Sequence, residues 1–204
     1  MKLTKYTHSC IRLAGRDGTI VLDPGVWSEP RALHGADAVF VSHEHSDHID
    51  QLRLAGLGVP VYAPADARIE GVPVRPLTAG DTVTIAGWTV RAVGGRHATV
   101  YDGAPDCPNL GYLLSTPSGR AVYHPGDSLY VPPTRVSTLL VPVQGSWLKT
   151  SEAIDFVREV DPDVVIGIHE ARLNDRGLAA VHGWFAEHCS GYRRLSVGES
   201  LALD

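Results

Sequence analysis

The sequence predicts a layered α/β sandwich, on three observations. Many short apolar runs of strand length are punctuated by Gly and Pro, and the few helical patterns fall late in each half of the chain. The strands do not alternate strictly with helices, as a doubly wound sheet requires. No Gly-rich fingerprint follows a strand, which counts against a dinucleotide site.

The strand expectations, in order, are Cys10–Ala14, Thr19–Asp23, Ala38–Ser42, Val59–Ala63, Val72–Leu77, Thr82–Ile85 and Trp88–Val93. The last two are joined by Ala86-Gly87, a hairpin turn in which the glycine supplies the backbone freedom. Further strands are expected at Leu110–Ser115, Ala121–His124, Thr138–Val141 and Val164–Ile168, with a last pair near Arg193–Val197 and Ser200–Leu203. A helix is expected from about Asp47 to Leu54. A second is capped by Thr150 or Ser151, carries Glu152 in its first turn, buries Ile154, Val157 and Val160 at threefold spacing, and stops at Asp161-Pro162. Asn174 caps a third, running through Leu178, Val181, Trp184 and Phe185 to about His188.

Bulk properties narrow the function classes. The chain has 204 residues, 44% hydrophobic and 20% charged, which suits one folded domain over 1–204. A net charge of −5 gives no electrostatic footprint for nucleic acid, so none is expected as a partner. Bound cations would change that balance locally and leave room for a small, anionic substrate. Cys10, Cys107 and Cys189 are few and widely spaced, which fits free thiols in a reducing cytoplasm. A nucleophilic role for Cys107 would need a base that the sequence does not identify, and it is not read as a nucleophile. Met1–Tyr6 lacks the apolar core of a signal peptide, and no apolar stretch approaches the roughly 18 residues that span a bilayer.

The stretch Val39-Phe40-Val41-Ser42-His43-Glu44-His45-Ser46-Asp47-His48 is the strongest functional signal. A short buried strand ends and delivers three imidazoles and a carboxylate into one small volume. Packed together without a metal, those groups would each need a polar partner, so a metal site is the economical reading over a solvated His-rich loop. Three other donors follow apolar strand runs in the same way: His97 after Val93-Gly94-Gly95-Arg96, Asp127 after His124-Pro125-Gly126, and His169 after Val164–Ile168. Donors at strand ends sit on a rigid scaffold.

In this order, His43-x-His45-x-Asp47-His48, His97, Asp127 and His169 resemble the ligand set of the metallo-β-lactamase fold superfamily. Asp23-Pro24-Gly25 is similar to its early strand and turn, and the resemblance covers essentially the whole chain. Tyr6–Cys10, Gly111-Tyr112-Leu113 and His124–Asp127 carry a narrower resemblance to the branch that includes the ascorbate-phosphate lactonases. The resemblance implies a four-layer αβ/βα sandwich and a binuclear metal-dependent hydrolase. His43, His45 and His97 would hold one ion and Asp47, His48 and His169 the other, with Asp127 and a hydroxide bridging them. Asp47 and Asp127 are the candidate catalytic carboxylates, Asp47 by orienting the nucleophile or taking its proton.

Two divalent ions make hydroxide available near neutral pH and polarise a carbonyl or phosphoryl oxygen, so cleavage of an ester, lactone or phosphate ester of a small molecule is expected. Zinc is the favoured metal, with manganese second. Redox di-iron relatives resemble HxExD, whereas this chain has His45, which argues for hydrolysis. A phosphodiesterase or nuclease on this fold, and a non-catalytic metal-binding or sensing protein, are the alternatives.

Four residues are candidate pocket residues: His8, His124, Tyr101 and Trp147. For His8 and His124 a satisfied core imidazole is the competing reading, and for Tyr101 simple packing. Glu170 reads as a solvated carboxylate, and Trp27 and Trp184 as core or pocket-wall aromatics. The short chain shows no cap insertion, so the expected site is open, walled by a neighbouring subunit in a homo-oligomer.

Overall fold

The computed structural model describes residues 1–102, 107–115 and 119–203. Fourteen strands appear among these residues: β1 (Lys2–Lys5), β2 (Ile11–Ala14), β3 (Thr19–Leu22), β4 (Ala38–Phe40), β5 (Val61–Pro64), β6 (Val74–Leu77), β7 (Thr82–Ile85), β8 (Trp88–Arg96), β9 (Pro108–Ser115), β10 (Ala121–His124), β11 (Thr138–Pro142), β12 (Val164–Ile168), β13 (Tyr192–Arg193) and β14 (Ser200–Ala202). Three α-helices, α1 (Gln51–Ala55), α2 (Thr150–Val160) and α3 (Asp175–His188), and one 3-10 turn, Pro30–Leu33, complete the described elements.

The strands form two seven-stranded sheets, ordered β14-β1-β2-β3-β4-β5-β6 and β13-β12-β11-β10-β9-β8-β7. Each sheet is antiparallel on one side and parallel on the other, the pairing changing between β2–β3 and β3–β4 in the first and between β9–β10 and β10–β11 in the second. Between the sheets lies an apolar core, with Leu3, Leu13, Ile20 and Phe40 packed in one cluster with Trp88, Tyr112, Leu114 and Ile166. On the far face of the first sheet, Val21, Val39 and Val61 pack against Leu33 and Leu54 from the 3-10 turn and α1. On the far face of the second, Leu139, Val141 and Val165 pack against Ile154, Phe156, Val157 and Phe185 from α2 and α3. The result is the four-layer αβ/βα sandwich expected from the sequence. Central strands such as β3 are buried along their whole length, which explains why they read as continuous apolar runs without alternation.

Four local expectations need correction. Strand β1, with the sequence Lys-Leu-Thr-Lys, carries no apolar signature, yet it pairs with both β2 and β14. The expected last pair separates: β13 edges the second sheet and β14 the first, and β13 lies earlier than the Arg193–Val197 expected. The first helix begins at Gln51 rather than Asp47, because Asp50 is its cap and accepts from Arg53 N at 3.0 Å. The preceding residues are taken up in tight turns of the donor loop, where His48 N donates to His45 O at 2.9 Å. Helix α2 has Lys149 as its N-cap, one residue before the expected Thr150, and Glu152 Oε2 accepts from Lys149 N at 3.2 Å.

Candidate metal centre

Every candidate donor leaves the same end of the sandwich. His43 lies three residues past β4, His97 directly after β8, Asp127 three residues past β10, and His169 directly after β12. The two sheets are stitched together at this end. Leu110 N donates to Ser42 O at 2.9 Å, and Tyr112 Oη donates to Val41 O at 2.8 Å. Asn109, fully buried, accepts from Asp127 N at 2.9 Å through Oδ1 and donates to Pro125 O at 2.9 Å through Nδ2. Gly126 makes this seam possible, since a Cβ there would stand 2.2 Å from Asn109 Oδ1 and its φ of +63° suits glycine.

Asp127 stands at the centre. Its Oδ2 is 3.0 Å from His169 Nε2, 3.3 Å from His97 Nε2 and 4.0 Å from His43 Nε2, and its Oδ1 is 3.1 Å from His48 Nε2. Ligand atoms from His43, His45 and His97 lie within 4.8 Å of one another, as do those of His43, His48 and Asp127. A third group with the same spacing comprises His8, Asp47, His48 and His169. His43 Nε2 and His45 Nδ1 approach to 3.0 Å.

The outer nitrogens explain how the rings are held. His48 Nδ1 donates to Asp23 Oδ2 at 2.7 Å, His97 Nδ1 to Ala98 O at 2.6 Å, and His169 Nδ1 to Gln144 O. Ser42 Oγ donates to Asp23 Oδ2 at 2.6 Å and so is left to accept from His43 Nδ1 at 2.9 Å. In these four rings Nδ1 is engaged by an oxygen outside the cluster, which leaves Nε2 directed inward, the orientation in which an imidazole can bind a divalent cation. His48 Nε2 and Asp127 Oδ1 are buried 3.1 Å apart and make no well-formed hydrogen bond to each other or to anything else. Such buried, poorly satisfied atoms are costly in a folded chain unless something binds them, and a cation among these donors would do so. The residues therefore fit a metal centre.

Electrostatics point the same way. Burial opposes ionisation of Asp127, but His48, His169 and His97 outweigh it and hold the carboxyl well below the usual range. Burial also opposes ionisation of Asp23, which His124 and His48 overcome. His43 is pushed well below the ordinary imidazole value by burial and by neighbouring His48, and His45 is lowered by burial and His97. These rings stay neutral and available as ligands. His48 goes the other way: burial lowers it, yet Asp127 and Asp23 on either side raise it well above the ordinary value. Three non-glycine residues here hold left-handed backbone, His8 at φ +66°, Asp23 at +44° and His169 at +64°, a local strain that the surrounding bonds must sustain.

The β-lactamase superfamily domain model matches residues 2–169. The chain belongs to the metallo-β-lactamase superfamily. Among its relatives, Protein Rv0786c of Mycobacterium tuberculosis is 38% identical over 195 residues, covering 92% of each chain. A UPF0173 metal-dependent hydrolase of Methanoculleus marisnigri is 30% identical over 187 residues, covering 83% of this chain and 80% of its own. The metallo-β-lactamase fold protein YhfI of Bacillus subtilis superposes with a TM-score of 0.72 at 16% identity, covering 96% of this chain and 91% of that one. This superfamily member is an enzyme of the metal-dependent hydrolase class.

The superfamily member gathers all seven sequence-named donors, His43, His45, Asp47, His48, His97, Asp127 and His169, into one place. The four candidate pocket residues fare differently. Trp147 lines the cavity, and its Nε1 donates to Asp127 Oδ2 at 3.1 Å. His8 is buried behind Asp47 and does not line the cavity. His124 is a satisfied core imidazole: Nε2 donates to Ser9 O at 2.9 Å, and Nδ1 accepts from Gly126 N at 3.1 Å. Tyr101 is 77% exposed and outside the cavity lining, where Val100 stands instead.

Two further readings change. Glu170 is not simply solvated, because it pairs with Lys5 Nζ at 2.6 Å. Trp184 is exposed and stacks on His188 rather than entering the core. Sequence reasoning also passed over Asp23 as the partner of His48 and Arg172 as a cavity residue. The strand-terminal position of Asp23, before Pro24-Gly25, was the available signal for the first. Nothing in the sequence marked the second.

Proposed function

We propose that the chain is a binuclear hydrolase that cleaves an ester, lactone or phosphate-ester bond of a small anionic molecule. The observation that carries this reading is the convergence of imidazole Nε2 atoms on Asp127, with their outer nitrogens fixed by hydrogen bonds. His43, His45 and His97 would hold one cation, Asp47, His48 and His169 the other, with Asp127 between them. Bound there, divalent cations supply a low-pKa water and polarise the bond under attack. The imidazole-rich set favours zinc, with manganese second.

The chain's own residues supply position and selectivity. Trp147 Nε1–H holds Asp127 Oδ2 and so fixes the central carboxylate. His45, Asp47, His97, Val100, Ser146, Trp147 and Arg172 are among the residues around a cavity of about 90 Å³. That volume admits the reacting group, while the rest of a substrate lies across the rim. Arg172 is the one arginine among the described residues lining it, stacked over the Trp27 ring at 5.6 Å and 3.5 Å from Asp47 Oδ2. A half-exposed guanidinium at the mouth suits a carboxylate or phosphate on the substrate. No described helix is long and apolar enough to cross a membrane.

The test is a panel of neutral and anionic esters, lactones and aryl phosphates assayed with the zinc- and manganese-loaded protein. Hydrolysis of at least one class, faster for its anionic members, is expected. In Arg172→Ala, KM for anionic substrates should rise about tenfold with little change for neutral ones, the size of one partly solvated charge-assisted contact. Inactivity on the whole panel with both metals bound would sink the ester, lactone and phosphate-ester reading, and equal KM changes for both substrate types would remove Arg172 from anion recognition.

A further inference from the structure

His8 presents a choice between two roles. It is fully buried, its Nε2 has no hydrogen-bond partner, and that atom lies 3.3 Å from Asp47 Oδ2. By proximity alone it could be a fourth ligand beside Asp47, His48 and His169. The tautomer argues against this. His8 Nδ1 accepts a hydrogen bond from Ala171 N at 3.3 Å. A ring nitrogen that accepts carries no proton, so the neutral ring has its proton on Nε2, and a protonated nitrogen cannot bind a cation. His48, His97 and His169 show the reverse arrangement, with each Nδ1 on an acceptor and Nε2 turned toward Asp127.

The acceptor role of Nδ1 is built into the backbone. His8 N donates to Glu170 Oε1 at 3.2 Å, and Lys5 Nζ holds the same oxygen at 2.6 Å. His169 N donates to His8 O at 3.3 Å. The turn carrying His8 is thus latched to the turn carrying His169, Glu170 and Ala171. Rotating the Ala171 amide away from His8 would break that latch. The ring also packs edge-on against Trp27 with centroids 5.0 Å apart, which limits its own rotation.

We infer that His8 is a positioning residue whose Nε2–H donates to Asp47 Oδ2, leaving Asp47 Oδ1 for the second cation, and that it is not a fourth ligand. The inference rests on the two-cation reading of the site. Arg172 approaches the same Oδ2 from the solvent side at 3.5 Å, so one oxygen of Asp47 is occupied by donors from two directions.

The test uses the zinc-loaded protein. Long-range proton–nitrogen NMR should show His8 with a protonated Nε2 and a bare Nδ1, and His48, His97 and His169 with protonated Nδ1 and metal-shifted Nε2. His8→Ala should still take up two zinc ions at saturation, with one affinity weakened by about 10–100-fold, as expected for loss of an outer hydrogen-bond partner. His8→Gln, which keeps an N–H donor, should recover most of that affinity. A metal-shifted His8 Nε2, or loss of one zinc equivalent in His8→Ala at saturation, overturns the inference alone. A wild-type chain that takes up fewer than two zinc ions overturns the two-cation reading, and this inference with it.

Discussion

Asp127→Asn is expected to abolish stable occupation of the centre by two cations and to lower hydrolysis by more than about 100-fold. Even outer partners of metal ligands are worth about 10–100-fold in affinity or activity, and Asp127 is the group on which the whole arrangement converges. Its two oxygens face Nε2 atoms of His169, His97, His43 and His48, and it is only 3% exposed. Asparagine keeps the shape but removes the negative charge that balances the cations, and it turns an NH2 group toward some of the imidazole nitrogens. Stability offers a second readout. A cation present at about 1,000 times its dissociation constant stabilises the folded chain by roughly 4 kcal/mol, so wild type should melt well above Asp127→Asn in excess zinc. The variant's midpoint should respond little to zinc. Two bound ions and a wild-type rate in Asp127→Asn would remove this residue from the centre of the account.

Gly25→Ala is expected to be nearly as damaging although it touches no ligand side chain. A Cβ at Gly25 would stand 1.9 Å from Asp47 O, 2.2 Å from Asp47 C and 2.7 Å from His48 N. All three are backbone atoms of the donor loop, so no side chain can swing aside to make room. The loop cannot easily retreat either, because Val26 N donates to Ser46 O at 2.9 Å and Asp50 N to Pro24 O at 3.0 Å. Overpacking in a close-packed region costs about 1–3 kcal/mol, and this contact is tighter than most, so a loss of at least ~3 kcal/mol is expected in chemical denaturation. If the chain relieves the clash by moving residues 46–48, the cost appears instead as weaker metal binding through Asp47 and His48. Wild-type stability together with wild-type metal affinity would show that the turn does not brace the loop.

How much of this was legible in the sequence differs from element to element. Strands such as Val164–Ile168 announced themselves as apolar runs, and the donors announced themselves by following such runs. That works because a buried strand imposes composition locally. Strand β1 did not, because Lys5 is buried with its ammonium paired to Glu170, distant in sequence and adjacent in space, as well as to Tyr6 O. Asp23 looked like part of a turn, and only the fold reveals that it bonds Ser42 and His48 together. Arg172 and His8 were hard to assign for the same reason: their roles come from which loop end meets which. His124 shows the converse, since its proximity to Asp127 in sequence made it a pocket candidate, while its partners Ser9 and Gly126 make it structural.

The central claim is that two divalent cations share Asp127, and metal titration of the chelator-treated, refilled chain tests it most directly. With zinc or manganese added stepwise and bound metal measured against protein, binding should saturate at two ions per chain, and hydrolysis should reach its plateau only as the second ion binds. Saturation below two ions per chain, or hydrolysis that survives complete removal of metal, would contradict the account.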